Sequence, residues 1–383
     1  MPRATAVRRG LTALTTALAL IGGVLISAAA TPLAAEAAPT VKVTRVLGGL
    51  SIPWDLTWIG GLMLFDQRAG GIWSLRAGGT AQPVNMPLPP VYAHNEGGML
   101  GIVADPNAAS NGYFYTCMAV AASVDGPPKD VEVWKWRLTT DTTAVKVKTL
   151  ITGIPLTSGR HSGCRLRFRS TYRLYVGTGD AATGTNPQNL NSLGGKVLRV
   201  ASDGSIPTDN PFYKRGGNAR YVWSYGHRNV QGLMVRPGTK NDLWSVEHGT
   251  DRDDEINRVW QGHNYGWSPT PGYNEARPMT DKTRYPKAIS ARWRSGLPTV
   301  ATSGGTFISG SKWGSWNGRL AVAMLKGEGI LLFTVDSADR LSGKQTLFTS
   351  YGRIRTILQG PDGALYFTTS NGSDDGIYKI TAS

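Results

Sequence analysis

A short phrase of turn residues followed by a hydrophobic, aromatic-rich strand recurs along the chain. Helical periodicity is almost absent after residue 38, whereas each phrase places a strand-like run directly after a turn containing Pro, Asp, Asn or Gly. The strand-like runs of the six copies are marked by Leu62, Tyr113, Leu174, Leu243, Leu320 and Leu365. Six similar β units are typical of folds built by radial repetition.

The repeat predicts an all-β fold, a six-bladed β-propeller of four-stranded antiparallel blades in a single domain over residues 38–383. Roughly 340 residues shared by six units give each unit room for four strands and their loops. No segment between the units has the composition of a linker. A large β-sandwich and two smaller β domains remain the alternatives. In a propeller, we expect functional residues where the repeated strands end, as with Asp180 and Lys326.

The first 37 residues have the three parts of a secretory signal peptide. Arg3, Arg8 and Arg9 form a charged start, Leu11–Ala30 is apolar, and Ala34–Ala38 supplies a small-residue cleavage site. We therefore expect cleavage near Ala37 and a secreted or extracytoplasmic protein with no integral membrane segment after cleavage. An uncleaved membrane anchor is the alternative, and the arginine pair leaves the choice between general and twin-arginine export open.

The chain is basic, with a formal net charge of +15. Without the three arginines and one glutamate of the first 37 residues, 38 basic and 25 acidic residues remain, a net charge of +13. The sequence has no dense Lys/Arg run and no basic helix, so we expect no nucleic-acid partner. Solubility or a small anionic ligand explains the charge better.

The two cysteines, Cys117 and Cys164, each lie in or beside a strand-like segment. In an exported protein an even pair predicts one disulfide. Two buried free thiols are the alternative.

A histidine and a carboxylate, His161 and Asp180, stand nineteen residues apart at the two ends of a predicted hairpin. Imidazole accepts a proton near neutral pH, and a carboxylate on its other nitrogen fixes the tautomer and raises its basicity. The pair is a candidate general base with its orienting group. Viewed alone, a histidine between Arg160 and Ser162 is more often a surface residue.

Four cationic side chains in separate segments could together hold a polyanionic ligand. They are Arg228, Lys326, Arg353 and Arg355. The spacing of Arg353 and Arg355 predicts that both project from one face of a strand. An exposed strand face is the alternative for such a pair.

The stretch from Gly249 to Glu255 combines glycine with several acidic residues, a composition suited to a bound cation. The alternative is a solvated acidic turn.

Four motifs make the chain resemble the quinoprotein glucose/sorbosone dehydrogenase family. They are GHRNVQGL, EHGTDRDDEIN, NYGW and GRIRTILQGPDGALY, and the resemblance covers roughly residues 43–381. It implies a six-bladed propeller that uses pyrroloquinoline quinone (PQQ) and calcium to oxidise aldose sugars at the anomeric carbon to lactones. The anomeric hydrogen would pass as hydride to the quinone, and an external electron acceptor would then reoxidise it.

The resemblance assigns roles to individual residues. His161 corresponds to the base that deprotonates the sugar hydroxyl, and Asp180 to the carboxylate that orients it. Arg228 corresponds to a catalytic-site arginine that, with Asn229, contacts the cofactor from one side. The residues that would hold its carboxylates are Lys326, Arg353 and Arg355.

The resemblance also implies metal ligands. The main-chain carbonyls of Gly249 and Thr250 would bind the calcium beside the quinone, although the second position is often proline in the family. A second, structural calcium is implied by the carbonyls of Pro271 and Tyr273 and by Glu275, which stands where a shorter Asp occurs.

Glu96, in HNEGGMLG, occupies a position where the glucose-oxidising branch has a substrate-binding amide. An ionised carboxylate accepts hydrogen bonds but donates none, so the sugar preference should differ.

Two other functions fit parts of the pattern. A calcium-dependent propeller hydrolase of the lactonase type would need calcium and a base, but not the cluster Lys326, Arg353 and Arg355. A non-catalytic carbohydrate-binding propeller would need neither His161 nor Asp180.

Overall fold

The computed structural model describes residues 37–170, 172–238 and 242–383. The predicted signal peptide, residues 1–37, lies outside the described residues apart from Ala37. Among the described residues, no helix is long and apolar enough to cross a membrane.

The described strands form six four-stranded antiparallel sheets, the blades of a six-bladed propeller. The chain enters through β1 (Val41–Leu50), which belongs to the last blade. Blade 1 consists of β2 (Pro53–Ile59), β3 (Leu62–Gln67), β4 (Ile72–Arg76) and β5 (Gln82–Pro83). Blade 2 consists of β6 (Met99–Ala104), β7 (Tyr113–Ala121), β8 (Pro128–Thr140) and β9 (Thr143–Ile154).

The next two blades continue in the same order. Blade 3 consists of β10 (Gly163–Ser170), β11 (Arg173–Thr178), β12 (Lys196–Ala201) and β13 (Val222–Tyr225). Blade 4 consists of β14 (Val230–Arg236), β15 (Asp242–Glu247), β16 (Glu255–Val259) and β17 (Trp293–Arg294). The first strand of each blade is the innermost, because it packs against the first strands of the neighbouring blades.

The last two blades complete the ring. Blade 5 consists of β18 (Thr302–Phe307), β19 (Leu320–Met324), β20 (Ile330–Val335) and β21 (Leu341–Leu347). Blade 6 consists of β22 (Ile354–Gln359), β23 (Leu365–Thr369), β24 (Asp375–Ala382) and β1. The described helices are short: α1 (Ala108–Asn111) and the 3-10 helices Tyr213–Arg215, Gly217–Tyr221, Ser311–Trp316 and Thr349–Tyr351.

The six copies of the repeated phrase become the second strands of the six blades, β3, β7, β11, β15, β19 and β23. The predicted propeller is therefore confirmed, and the β-sandwich alternative is wrong. The ring closes because β1 pairs antiparallel with β24, from Val41 opposite Ala382 to Leu50 opposite Asp375. This pairing ties the beginning of the described chain to its end and supplies the fourth strand of blade 6.

Apolar side chains fill the spaces between blades, and a buried arginine crosses the centre of the ring. Trp244, Phe307 and Val322, for example, belong to one cluster between blades 4 and 5. Arg165, on β10, pairs with Asp55 of β2 at 2.9 Å and donates to Thr356 Oγ1 of β22 at 2.5 Å. One guanidinium thus connects three blades, which suits a planar group with five donors.

The predicted disulfide is confirmed. Cys117 on β7 is bonded to Cys164 on β10, with the two Cα atoms 5.6 Å apart, and both residues are fully buried. The bond connects blades 2 and 3 just beyond His161, so it restrains the inner strand of blade 3 near its first residue.

We expect the disulfide to contribute strongly to stability. The chain-entropy relation for a separation of 47 residues predicts about 4 kcal/mol. The double variant Cys117→Ala, Cys164→Ala should lose that much free energy of unfolding in a urea titration. Alkylation without reductant should label no thiol in the wild-type protein. Two labelled thiols, or a double variant as stable as the wild type, would contradict the expectation.

Candidate active site

The candidate residues gather at one end of the ring, where inner strands begin and second strands end. His161 precedes β10 and Asp180 follows β11, and the hairpin register pairs Gly163 with Thr178. The sequence-predicted hairpin therefore brings the two side chains to the same end. A β-bridge between Gly179 and Asn229 joins this end of blade 3 to the segment that leads into blade 4.

The His161 ring is bonded to Asp180, as predicted. Nδ1 of His161 lies 2.9 Å from Oδ1 of Asp180, and both side chains are almost wholly buried. An ionised carboxylate can only accept, so Nδ1 carries the hydrogen and Nε2 is left as the proton-accepting nitrogen. Gly179 allows its own segment to approach the His161 main chain closely, because a Cβ at position 179 would lie 1.8 Å from the His161 carbonyl oxygen.

Two further side chains complete the surroundings of Asp180. Its Oδ2 accepts hydrogen bonds from Trp267 Nε1 at 2.8 Å and from the Tyr273 hydroxyl at 2.7 Å. The same hydroxyl lies 2.9 Å from Nδ1 of His161. Burial and the Asp180 charge raise the pKa of Tyr273, so the hydroxyl stays protonated.

Arg228 lies next to Trp267, close to the His161–Asp180 pair. Its side chain is buried, donates to the His248 carbonyl at 3.2 Å and to Glu275 Oε1 at 2.7 Å, and stands 5.6 Å from the ring centroid of Trp267. Its main-chain carbonyl accepts a hydrogen bond from the Asp180 amide at 2.8 Å. Arg228 and the catalytic pair are therefore held by adjacent segments.

A chain of hydrogen bonds runs from Glu96 to Arg355. Asn229 Nδ2 donates to Glu96 Oε2 at 2.8 Å, Gln231 Nε2 donates to Asn229 Oδ1 at 3.0 Å, and Arg355 donates to Gln231 Oε1 at 3.1 Å. Burial alone would raise the pKa of Glu96, but nearby basic residues and the Asn229 hydrogen bond together lower it. Glu96 is therefore an ionised acceptor within the site.

Arg355 reaches the interior of the site, whereas Arg353 does not share its strand face. Arg355 is buried, and its guanidinium lies 3.7 Å from the ring centroid of Trp54. Burial, and next the charge of Arg165, lower the pKa of Arg355. Arg353 lies one residue before β22, is exposed, and donates to the Ser370 carbonyl at 3.1 Å. A bulge follows Ile354, so the predicted common face is wrong.

Lys326 is also exposed, in the turn after β19. The Gly329 amide in this turn donates to the Gly352 carbonyl at 2.9 Å, next to Arg353. Lys326 and Arg353 thus belong to neighbouring turns of blades 5 and 6.

Three buried nitrogens at this end have no hydrogen-bond partner among the described residues. They are Nε of Arg228, Nε of Arg355 and Nε2 of His248. Burial is the main cause that lowers the pKa of His248, and the charges of Arg355 and Arg228 lower it further. Buried donors without partners are costly. An anionic ligand rich in acceptor oxygens fits this set.

The loop expected to hold calcium is organised by Asp254. This buried carboxylate accepts the amides of Gly249 at 2.8 Å, Val300 at 2.7 Å and Ala301 at 2.6 Å. Asp254 and Glu255 are both buried, so the solvated-turn alternative is wrong for them. Burial, and next the charge of Glu247, raise the pKa of Glu255 to about 7.

A calcium ion in this loop would depend on main-chain oxygens. In the hydrogen bonds of the described residues, the carbonyls of Gly249 and Thr250 accept none. Nowhere in the described part of the chain do three or more His, Cys, Asp or Glu side chains form a group that could hold a metal ion. Carbonyl oxygens are ordinary calcium ligands, so the first calcium fits this loop.

The second calcium fits less well. Oε1 of Glu275 accepts from Arg160 at 2.6 Å and from Arg228 at 2.7 Å, and the two hydrogen bonds help to lower the pKa of Glu275 against the effect of burial. The carboxylate is thus neutralised by two guanidinium groups. A calcium site at Pro271, Tyr273 and Glu275 stays a prediction.

Sequence reasoning assigned no role to several side chains of the site, and for Tyr273 it named only the main-chain carbonyl. The side chains of Trp54, Gln231, His248, Trp267 and Tyr273 all contact or adjoin the predicted residues. Gln231 and Trp267 lie inside the motifs GHRNVQGL and NYGW, so their position in those motifs was the available signal. Trp54 and the Tyr273 hydroxyl carry no local signal.

At one end of the six-bladed ring, a buried histidine–carboxylate pair lies near buried arginine nitrogens that have no hydrogen-bond partner among the described residues. A catalytic propeller that binds an anionic ligand near a base would need these features. The chain belongs to the glucose/sorbosone dehydrogenase family, because the sequence model of that family matches residues 50–379. The predicted resemblance is thereby confirmed, and so is the enzyme class, a sugar dehydrogenase.

Individual relatives agree with this assignment. The chain is 33% identical over 355 residues to an aldose sugar dehydrogenase of Escherichia coli, covering 88% of this chain and 93% of the relative. It is 27% identical over 317 residues to quinoprotein glucose dehydrogenase B of Acinetobacter calcoaceticus, covering 73% and 63%.

Solved structures of aldose sugar dehydrogenases are similar to this fold over about nine-tenths of the chain. The apo-form of the soluble aldose sugar dehydrogenase of Escherichia coli gives a TM-score of 0.80 at 29% identity, covering 90% of this chain and 100% of the other. A PQQ-bound aldose sugar dehydrogenase of Streptomyces coelicolor gives 0.74 at 28% identity, covering 91% and 100%.

Proposed function

We propose that the protein is exported and, with PQQ and calcium, oxidises aldoses at the anomeric carbon to lactones, passing electrons to an external acceptor. The observation that carries this proposal is the His161–Asp180 pair near Nε of Arg228 and Nε of Arg355, which have no hydrogen-bond partner in the part of the chain that the structure describes. A base is needed to take the sugar hydroxyl proton, and the arginines suit a ligand with several carboxylates. The PQQ-bound structure of the Streptomyces coelicolor relative supports the choice of cofactor.

The residues that would hold PQQ are divided between the interior and the rim. Arg228, Asn229 and Arg355 are buried and offer donors inside the site. Lys326 and Arg353 are exposed and would meet the more accessible carboxylates. PQQ, when bound, supplies the acceptor for the two electrons and the anomeric hydrogen that an aldose loses on becoming a lactone.

His161 performs the proton transfer in this proposal. Nε2 accepts the proton of the anomeric hydroxyl while Nδ1 keeps its hydrogen bond to Asp180. Asp180 stabilises the imidazolium that results, because its charge lies directly against the ring. Glu96 would accept a hydrogen bond from another sugar hydroxyl, and its ionised state excludes the donor role of an amide.

Calcium on the carbonyls of Gly249 and Thr250 would supply a Lewis acid next to the cofactor. Export is supported by the signal-like residues 1–37 and by the buried disulfide, which is typical of oxidising compartments. Among the functions considered, membership in the dehydrogenase family favours sugar oxidation over lactone hydrolysis and over binding alone.

Reconstitution tests the proposal directly. Purified protein loaded with PQQ and calcium should reduce an external dye with at least one aldose in a sugar panel. A methyl glycoside of the same sugar is the matched control, because it has no anomeric hydroxyl proton for His161 to accept. Absence of dye reduction with every aldose, combined with hydrolysis of a lactone, would replace the oxidation by the hydrolase function.

Calcium removal should abolish dye reduction and lower the unfolding temperature. A ligand that binds only the folded state stabilises it by about 2.7 kcal/mol at a concentration one hundred times its Kd. Differential scanning calorimetry before and after chelation measures this shift, and added calcium should restore both stability and rate. Full turnover by a chelated, metal-free preparation would remove calcium from the mechanism.

A further inference from the structure

The Tyr273 hydroxyl contacts both members of the candidate catalytic pair. It lies 2.7 Å from Oδ2 of Asp180 and 2.9 Å from Nδ1 of His161. Tyr273 is 112 residues from His161 in sequence and lies on the segment between β16 and β17. A third side chain is therefore brought to the pair from a different blade.

Hydrogen bonding fixes the orientation of the Asp180 carboxylate on both oxygens. Oδ1 accepts the Ala182 amide at 2.8 Å in addition to His161, and Oδ2 accepts Trp267 Nε1 at 2.8 Å in addition to Tyr273. The Tyr273 hydroxyl has one hydrogen, which it donates to the carboxylate, so its oxygen lone pairs remain for the Nδ1 hydrogen of His161. Both neighbours of His161 Nδ1, the Asp180 carboxylate and the Tyr273 oxygen, then act as hydrogen-bond acceptors for its hydrogen.

This arrangement disfavours the other imidazole tautomer. With Nδ1 unprotonated, the ring nitrogen would face a carboxylate oxygen, and the Tyr273 hydrogen would have to leave Asp180 to serve it. A buried acceptor without a donor is costly. Tyr273 and Asp180 together therefore hold the hydrogen on Nδ1 and keep Nε2 free to accept a proton.

The Tyr273 side chain is itself held in place. Its ring packs edge-on against Trp267 with centroids 6.2 Å apart, and the Arg160 guanidinium lies 5.6 Å from its centroid. Two residues further along, Glu275 is bonded to Arg160 and Arg228. The segment is thus anchored to the residue that precedes His161 and to the arginine on the far side of the site.

We propose that Tyr273 is a positioning residue that fixes the tautomer and ring orientation of His161 through its hydroxyl. The proposal rests on the role of His161 as the base, but its structural part concerns the protein without cofactor. It assigns a function to the Tyr273 side chain that is independent of any metal contact by its carbonyl.

The test is Tyr273→Phe, which removes one oxygen and keeps the ring. Nitrogen-15 NMR of histidine-labelled apoprotein should show a single Nδ1–H tautomer for His161 in the wild type and a mixture in the variant. The remaining histidines serve as internal references. In the reconstituted enzyme, kcat should fall about tenfold, the loss expected for one hydrogen bond to a charged pair. KM for the sugar and the affinity for PQQ should stay within about twofold.

The same substitution at Tyr351 is the matched control, because that ring packs in blade 6 against Phe367 and Tyr378. Tyr351→Phe should keep the wild-type tautomer and rate. A wild-type tautomer and kcat in Tyr273→Phe would overturn the positioning role while leaving the base role of His161 intact. If instead Tyr273→Phe changes the tautomer but His161→Ala retains full turnover, the positioning is supported and the proposed base is wrong.

Discussion

His161→Ala should lower turnover by about two to four powers of ten, the usual contribution of a positioned general base. Affinity for PQQ should change little, because the donors assigned to the cofactor, Arg228 and Arg355, are untouched. The reason lies in the geometry: Nε2 of His161 is the free nitrogen of a ring whose Nδ1 is 2.9 Å from Asp180. Dye reduction at saturating PQQ and sugar measures the loss, and a separate PQQ titration measures the affinity.

Two controls make this result specific. His263→Ala removes an exposed imidazole whose Nδ1 lies 2.8 Å from the Gln261 carbonyl, so it should leave the rate unchanged. Added imidazole should restore part of the activity of His161→Ala, since it can enter the space left by the ring and accept the proton. Wild-type turnover by His161→Ala at saturating PQQ would show that another residue is the base.

The sequence predicted most where contacts are local. The repeated phrase marks the second strand of every blade, because each copy combines a turn with a buried strand inside one hairpin. His161 and Asp180 were paired for the same reason, since a single hairpin fixes the distance between its two ends. The end of the ring that carries the site followed from the antiparallel order of the strands.

Contacts between side chains of different blades could not be predicted from local sequence patterns. Tyr273 reaches His161 across 112 positions and Arg165 reaches Thr356 across 191, and no periodicity relates those residues. Arg353 and Arg355 show the same limit within one motif. The alternation of strand residues predicted a shared face. In the structure β22 begins only at Ile354 and has a register irregularity directly after it, and Arg355 is buried whereas Arg353 is exposed.

In the acidic stretch from Gly249 to Glu255, composition alone did not reveal the role of Asp254. Its composition suggested either a metal loop or a solvated turn, yet the structure uses Asp254 to bind three main-chain amides. A carboxylate that accepts hydrogen bonds from main-chain amides stabilises the loop. The main-chain carbonyls of the same loop then remain available to bind other partners. The acid thus shapes the loop, and the calcium proposed there would contact the carbonyls of Gly249 and Thr250.

Arg355→Ala should weaken PQQ binding by about two to three powers of ten, because removing one partner of a buried charge pair costs about 3–5 kcal/mol. Arg355 is buried, its Nε has no partner among the described residues, and it stacks on Trp54. These features describe a guanidinium held in place for an anionic ligand. Fluorescence titration of the apoprotein with PQQ measures the affinity directly.

The controls separate this charge from charge in general. Arg340→Ala, which breaks an exposed ion pair with Asp336, should leave PQQ affinity unchanged. Arg355→Lys keeps the charge but loses the planar stack on Trp54, so its affinity should fall between those of the wild type and Arg355→Ala. Saturating PQQ should return the turnover of Arg355→Ala to within about tenfold of wild type, because His161 and Asp180 remain in place. Equal PQQ affinity in Arg355→Ala and wild type would mean that the buried arginine serves the Gln231–Asn229–Glu96 chain alone, and the cofactor would then have to be held by Arg228 and the exposed cations.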